Sequence, residues 1–406
     1  MSSPALTAPT TAQLGRTAGF WLLAATLTLL LFASAAPSPL YVVYQQEWGF
    51  SPIVLTSVFA VYALALLATL LVAGSVSDHA GRRPTLLAAL VVEMAGMLAF
   101  AAAQGVAWLF AARILQGVAT GIAMGAITAA LLDLQPATRP RLGALVGVAA
   151  PLTGLAAGAL VAGLLVDYGP DPMRLVFWLL LAGFAVAAVG AAAIPETVRR
   201  DGPWRHSLRP SVAIPAPLRG AFVAAIPALT ATWALGGLIL SLGPSLTAGV
   251  LGDRSHAAGG LAIFVMTGVS ALASVWLRNT HARTTARGGL VALIAGIALA
   301  LLALGERSTA LFLAAAAIAG LGFGPAFAGA FRTLTALAPA HQRAAFVSSV
   351  LSVAYLSFSL PAVAAGVAVT RVGLHATADV YGAALIALAA LALVLTRRLE
   401  GPPVAV

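Results

Sequence analysis

Gly74-Ser-Val-Ser-Asp78-His79-Ala-Gly81-Arg82-Arg83-Pro84 is a short charged stretch set between two long apolar runs, near 51–77 and 84–104. A transmembrane helix needs roughly 20 mostly apolar residues to cross a hydrocarbon core of about 30 Å. Both flanking runs reach that length. Reading outward by the same rule gives twelve runs. The first six lie near 17–45, 51–77, 84–104, 106–134, 141–166 and 174–195. The other six lie near 217–249, 256–278, 287–304, 308–336, 341–370 and 377–397.

Composition leads to the same class. The chain has 406 residues, 61% hydrophobic and 8% charged, with a mean hydropathy of +1.00. An ordinary soluble protein carries about a quarter charged residues, and a soluble fold of this length lacks the polar groups to cover so much apolar surface. The expected fold class is therefore an all-α membrane protein of twelve transmembrane helices, with the lipid bilayer as its main surroundings. Cysteine is absent, which excludes disulfide scaffolds, cysteine-zinc sites, iron–sulfur clusters and thiol nucleophiles. All 22 basic residues are arginine.

The net charge of +10 would suggest a nucleic-acid partner in a soluble protein, but its distribution points elsewhere. One side of the membrane collects 17 arginines, among them Arg16, Arg82, Arg83, Arg139, Arg141, Arg199, Arg200, Arg205, Arg209, Arg219, Arg278, Arg283 and Arg287. Five acids share that side: Asp78, Asp133, Glu196, Asp201 and Glu400. The other side has Arg174, Arg254, Arg307 and Arg371 against Glu47, Asp167, Asp171, Asp253, Glu306 and Asp379. The positive-inside rule assigns the basic side, with both termini, to the cytoplasm and so implies a multi-pass protein of the bacterial inner membrane, with no nucleic-acid partner. Arg16 with the apolar run up to Ala33-Ser34-Ala35 imitates a cleavable secretory signal. The charge alternation holds only if this first span stays. Trp48, Trp108, Tyr168, Trp178 and Tyr381 fall near span ends, as interfacial aromatics do.

Residues 196–216 form the longest polar break, at the midpoint. An offset of 203 aligns Gly117, Gly121 and Pro136 with Gly320, Gly324 and Pro339, and one of 204 aligns Arg139 with Arg343 and Gly169 with Gly373. The expected organisation is a tail (1–16), a six-helix bundle (17–195), a cytoplasmic linker (196–216), a second six-helix bundle (217–397) and a second tail (398–406). Parallel repeats of this kind are a transporter plan.

The 74–84 stretch resembles the signature of the major facilitator superfamily, G-x-x-x-D-R/K-x-G-R-R/K, with His79 where a basic residue is usual. The resemblance covers nearly the whole chain, and within the family the pattern is closest to the twelve-helix drug:proton antiporter-like group. It implies a gating motif of Gly74, Asp78, Gly81, Arg82 and Arg83, in which the acid and arginine link neighbouring helix ends. A carboxylate at a membrane interface is costly unless paired, so a pair that breaks on rocking makes a gate. Arg113-Ile-Leu-Gln116-Gly117-Val-Ala-Thr-Gly121 resembles the family's second signature, R-x-x-x-G-x-x-x-G, whose arginine is tied to proton coupling. By its own chemistry, an arginine within a span faces protein or water, or else snorkels to the headgroups. Gly117, Gly121 and Gly125 recur every fourth residue and form a face for close helix packing.

Glu93 is the one acid deep inside a span, roughly 13 Å of helical rise beyond Pro84. It is read as a proton carrier, as a structural partner of Arg113, or as a group making one interhelical hydrogen bond. The fifth span holds Pro151 and Gly154, a partial match to the family's antiporter signature G-P-x-x-G-G, and a small-residue packing face would look the same. The loop at 278–287, where the family often repeats its first signature, keeps arginines but lacks the acid, so an asymmetric latch is expected.

By resemblance, the first, fourth, seventh and tenth spans line a central cavity. Candidate lining residues are Tyr41, Tyr44, Gln45, Gln116, Thr230, Trp233, Phe323, Phe327, Phe331 and Tyr355. Pro37 and Pro39 are expected to break the first span and leave backbone carbonyls open to use. Aromatics with few fixed charges suit a small hydrophobic or amphipathic substrate. Proton-coupled efflux is the leading expectation, uptake of a small organic acid the alternative, and a monomer the expected state. Enzyme chemistry lacks its groups: no histidine lies mid-span, and no paired-carboxylate or Ser/His/Asp cluster appears. No nucleotide-binding G-x-x-x-x-G-K-S/T occurs, and no metal or cofactor is expected.

Overall fold

A computed structural model of the chain describes residues 14–198, 208, 210, 212–253 and 255–398. Most of both expected tails and of the linker lies outside the described residues, as do Arg199, Arg200, Asp201, Arg205, Arg209, Arg254 and Glu400 of the charge distribution.

Among the described residues, twelve helical spans are long and apolar enough to cross a membrane. The first is α1 (Arg16–Ala35) followed by α2 (Pro37–Trp48), and the second is α3 (Pro52–Ala73). A short α4 (Val76–Ala80) lies in the charged stretch. Then come α5 (Arg82–Ala101), α6 (Val106–Leu134), α7 (Leu142–Tyr168) and α8 (Leu175–Ala192). The second half comprises α9 (Arg219–Gly249), α10 (His256–Trp276), α11 (Ala282–Gly305), α12 (Thr309–Leu337), α13 (Arg343–Val372) and α14 (Leu374–Arg398). Among the described residues there is no strand.

Some boundaries move from their expected places for local reasons. The second span stops at Ala73, and Ser75 (φ −98°, ψ 0°) turns the chain into α4. The third span begins at Arg82, two residues before Pro84, because a first-turn proline has no hydrogen bond to lose. The ninth begins at Ala282, so Arg283 and Arg287 lie on helix. Pro37 and Pro39 do not break the first span as expected. Ala36 keeps right-handed helical angles and its N–H reaches Phe32 O at 3.0 Å, so the chain passes directly from one helix to the next.

Glycines set the closest helix contacts. A Cβ on Gly117 or Gly121 would run into the backbone of α3 at Tyr62 and Leu66, and one on Gly125 would meet Gly74 O at 2.9 Å. The second half repeats this packing: Gly320 and Gly324 of α12 lie against Met266 and Ser270 of α10. The partners Tyr62/Met266 and Leu66/Ser270 stand 204 residues apart, close to the offset of the glycines. Gly154 and Gly158 of α7 seat on Thr28, Leu31 and Phe32 of α1 in the same way.

The halves meet through α7 with α10 and α3 with α13, towards the end of the molecule opposite the 74–84 stretch. Gly260 sits on Ala159, Gly163 on His256, and Gly366 on Pro52 and Thr56. The Asp167 carboxylate, at the end of α7, accepts from the N–H groups of His256 (3.1 Å) and Ala257 (2.9 Å) and from the Ser255 hydroxyl (2.8 Å), and its Oδ1 lies 2.8 Å from His256 Nδ1. One half thus caps a helix of the other.

Candidate functional site

Arg113 lies one helical turn before Gly117, on the α6 face that packs against α3. Arg113, Gln116, Glu93 and Thr120 are all 0% exposed, so Arg113 is turned into the bundle and does not snorkel. Its Nε donates to the Tyr41 hydroxyl (2.7 Å), and its Nη1 to Ser34 O (2.9 Å) and Gln116 Oε1 (2.6 Å). The guanidinium stands 5.2 Å from the Tyr62 ring centre, 5.4 Å from Tyr41 and 5.8 Å from Phe100. Cation–π attraction strengthens in such desolvated surroundings.

Gln116 joins the two buried charges. Its Nε2 donates to Ala33 O (3.0 Å) and, at 3.4 Å, to Glu93 Oε1, while its Oε1 accepts from Arg113. Glu93 and Arg113 therefore communicate through an amide and form no direct ion pair. The prolines of the first span explain why α1 offers acceptors here. Pro37 has no N–H, which leaves Ala33 O without its helical donor, and Gln116 supplies one. Arg113 Nη2 and Glu93 Oε2 are buried with no partner among the described residues. The cluster can therefore make further hydrogen bonds.

Tyr62 connects this cluster to the other half. Its neighbours Ala63 and Leu66 bury with it against Tyr355 and Phe358 of α13, and the Phe59 and Phe358 rings lie 4.9 Å apart. Beyond them an aromatic group centres on Trp233 of α9. Its ring centre is 4.9 Å from Tyr355, 5.3 Å from Phe327 and 5.8 Å from Phe358, and the Phe327 and Phe331 rings lie tilted at 5.6 Å. Phe323 lines Gly236 on the same helix face. Thr230 and Ser357 share a hydrogen bond at 3.0 Å. The edge-on ring contacts suit an apolar surface that a flat ligand would extend.

Two tyrosine-span candidates stand elsewhere. The Tyr44 hydroxyl donates to Met173 O (3.1 Å) and its ring stacks on Trp48 at 4.8 Å, so it ties the first span to the α7–α8 loop. Gln45 closes the turn to α3 by donating to Phe50 O (3.0 Å). Neither reaches the aromatic group. Tyr62, Ser34, Ala33, Phe59 and Phe100 belong to the site without having been singled out as site residues in the sequence. Of these, only the Pro37 signal pointed towards the α1 carbonyls.

In the charged stretch, Arg82 pairs with Asp78 and also reaches Asp133 of α6 (Nε to Oδ2, 3.6 Å) and the Ser77 hydroxyl (2.6 Å). Glu196, just past α8, accepts from the backbone N–H groups of Arg82 (2.9 Å) and Arg83 (3.1 Å), capping α5. Gly81 has φ +98°, a conformation that strains any side chain, and a Cβ there would meet Glu196 Oε2 at 2.6 Å and displace that cap. These partners all belong to the first half. In the second half no acid takes part among the described residues. Instead Arg332 of α12 donates to Arg278 O (2.8 Å), Thr280 O (2.7 Å) and the Thr285 hydroxyl (3.3 Å).

Twelve spans in two packed repeats, enclosing buried charge beside an aromatic wall, define a membrane transporter. The family model of the Major Facilitator Superfamily matches residues 22–360, and the chain belongs to that family. It is a transporter and not an enzyme. Solved structures share the fold. A POT family transporter in complex with 5-aminolevulinic acid superposes with a TM-score of 0.74 at 14% identity, covering 95% of this chain and 97% of that one. A bacterial homologue of the human lysosomal transporter Spinster, in an inward-facing and unoccupied conformation, gives 0.73 at 14%, covering 94% and 97%. The nucleoside transporter NupG gives 0.71 at 13%, covering 92% and 99%.

Proposed function

We propose that the protein is a secondary active transporter of the bacterial inner membrane that exports small hydrophobic or amphipathic compounds in exchange for protons. It works as a monomer with both termini cytoplasmic, and the bundles 17–195 and 217–397 rock about the cavity between them. The observation that carries this reading is the contact of Tyr62 with both Arg113 and the Tyr355–Phe358 wall. A change of charge at Glu93 alters the hydrogen bond of Gln116, then the hold of Gln116 on Arg113, then the packing of Tyr62 against the wall where substrate would lie. Substrate and proton thereby act on one element, which is what coupling requires. The aromatic wall holds no fixed charge, which favours an apolar substrate over a sugar. The contacts through Asp167 and the paired glycines support assigning this conformation as inward-open, with Asp78 and Arg82 free of the second half.

The test is transport in proteoliposomes under an imposed pH gradient, with substrates taken from a compound panel that distinguishes knockout from overexpressing cells. Glu93→Gln should still exchange substrate but lose the dependence of net flux on the gradient. An unchanged dependence would return Glu93 to a structural role. The unpartnered Arg113 Nη2 favours one alternative, import of a small organic acid whose carboxylate meets this arginine. Growth on organic acids that fails in the knockout would select it.

A further inference from the structure

We propose that the second half binds an anionic phospholipid at its basic end, inside the bundle and apart from the transport cavity. A cavity of about 210 Å³ lies there between α9, α11, α12 and α14, walled by Ala225, Ala286, Leu290, Ala330 and Leu334 with Arg283 at its rim. The equivalent place in the first half holds a cavity of only about 10 Å³, walled by Arg82, Leu86, Ala126, Ala130, Ile194 and Pro195. Leu86/Leu290, Ala126/Ala330 and Ala130/Leu334 are each 204 residues apart, so the two places correspond. At the same offset Arg82 becomes Ala286. The long side chain that occupies the first site is missing from the second, and no rearrangement of its neighbours closes the space. Protein interiors are packed as densely as organic crystals, so a space of this size calls for an occupant.

Charge identifies the occupant. In the first half Asp78 and Asp133 pair with the Arg82 side chain, and the Glu196 carboxylate accepts from the backbone N–H groups of Arg82 and Arg83. In the second half Arg219 and Arg283 stand exposed at the starts of α9 and α11, without an ion pair among the described residues. The described acids of that half, Asp253, Glu306 and Asp379, all lie at the opposite end of the bundle. An apolar tail in the alanine-lined space with an anionic head at the arginines satisfies both deficits, and an anionic phospholipid has this chemistry.

The experiment titrates the purified full-length protein in detergent with phosphatidylglycerol, or with phosphatidylcholine of the same acyl chains. Bound lipid is read by native mass spectrometry and stability by thermal unfolding. Phosphatidylglycerol should bind in preference and raise the Tm. Arg283→Gln, an exposed change, should weaken its binding about fivefold. Ala330→Leu, which fills the space, should remove the Tm gain without lowering the Tm measured free of lipid. If that variant does not fold, the Arg283 comparison decides alone. Equal binding of the two lipids, an unchanged Arg283→Gln, or the same stabilisation by inorganic phosphate would overturn the proposal. So would phosphatidylglycerol binding that appears only in a chain ending at Arg398, since residues 399–406 would then be the occupant.

Discussion

The two halves share one packing scheme but place their polar groups differently. In the first, charge lies inside: Arg113, Gln116 and Glu93 form a buried chain, and three acids with Arg82 and Arg83 secure the basic end. In the second, an aromatic group surrounds Trp233, and Arg332 holds the basic-end loop by its backbone carbonyls. The repeat preserves what helix packing demands, since the glycine contacts of α6 on α3 recur as α12 on α10. Positions that packing does not constrain have diverged. Under the proposed function, the first half would carry the proton and the second would present an apolar surface to substrate.

Three experiments would break or sharpen this contrast. The largest effect is expected where the halves agree. Gly117→Val and Gly320→Val each drive a side chain into the facing backbone, so both should abolish folded, monodisperse protein in size-exclusion chromatography. A well-folded Gly320→Val with a lost Gly117→Val would show that the repeat is not structurally equivalent. Next, Asp78→Asn should abolish transport while leaving expression intact, because Arg82 loses a charged partner and the latch its polarity. Arg332→Gln should instead lower the Tm, since its partners are neutral carbonyls within one half, and leave transport measurable. Matching losses of transport would place a working gate in each half. The smallest effect is expected at Asp167. Asp167→Asn weakens a cap between the halves by about 1 kcal/mol, shifting the population roughly fivefold away from the closed acidic end. Because the chain contains no cysteine, labelling of a single Ser38→Cys by a membrane-impermeant maleimide reads that shift directly. Unchanged labelling would confine the cap to a packing role.

What was legible in the sequence follows from what lipid forbids. Backbone polar groups must be satisfied within helices, so apolar run lengths alone foretell twelve spans. The charge asymmetry foretells two differently charged ends, and the spacing of Gly117, Gly121 and Gly125 foretells a packing face. Asp78 and Arg82 were readable as a pair through the resemblance of the 74–84 stretch to the family signature, although Gly81, with φ +98°, separates their two helices. Partners that come together only across helices were not. Asp133 and Glu196 read only as acids of the basic side, Tyr62 carried no signal, and Tyr44 and Gln45 read as cavity residues although they tie down loops. The freed carbonyl at Ala33 was implied by Pro37, but that Gln116 would take it depended on how α1 meets α6. Local spacing and hydropathy are one-dimensional and determined the spans, the repeat and the presence of an arginine within a span, while its turn into the bundle was decided by packing. The choice of Glu93's partner, the cap of one half on the other and the unfilled space in the second bundle are set by inter-helix distances of a few ångströms, which only tertiary packing decides.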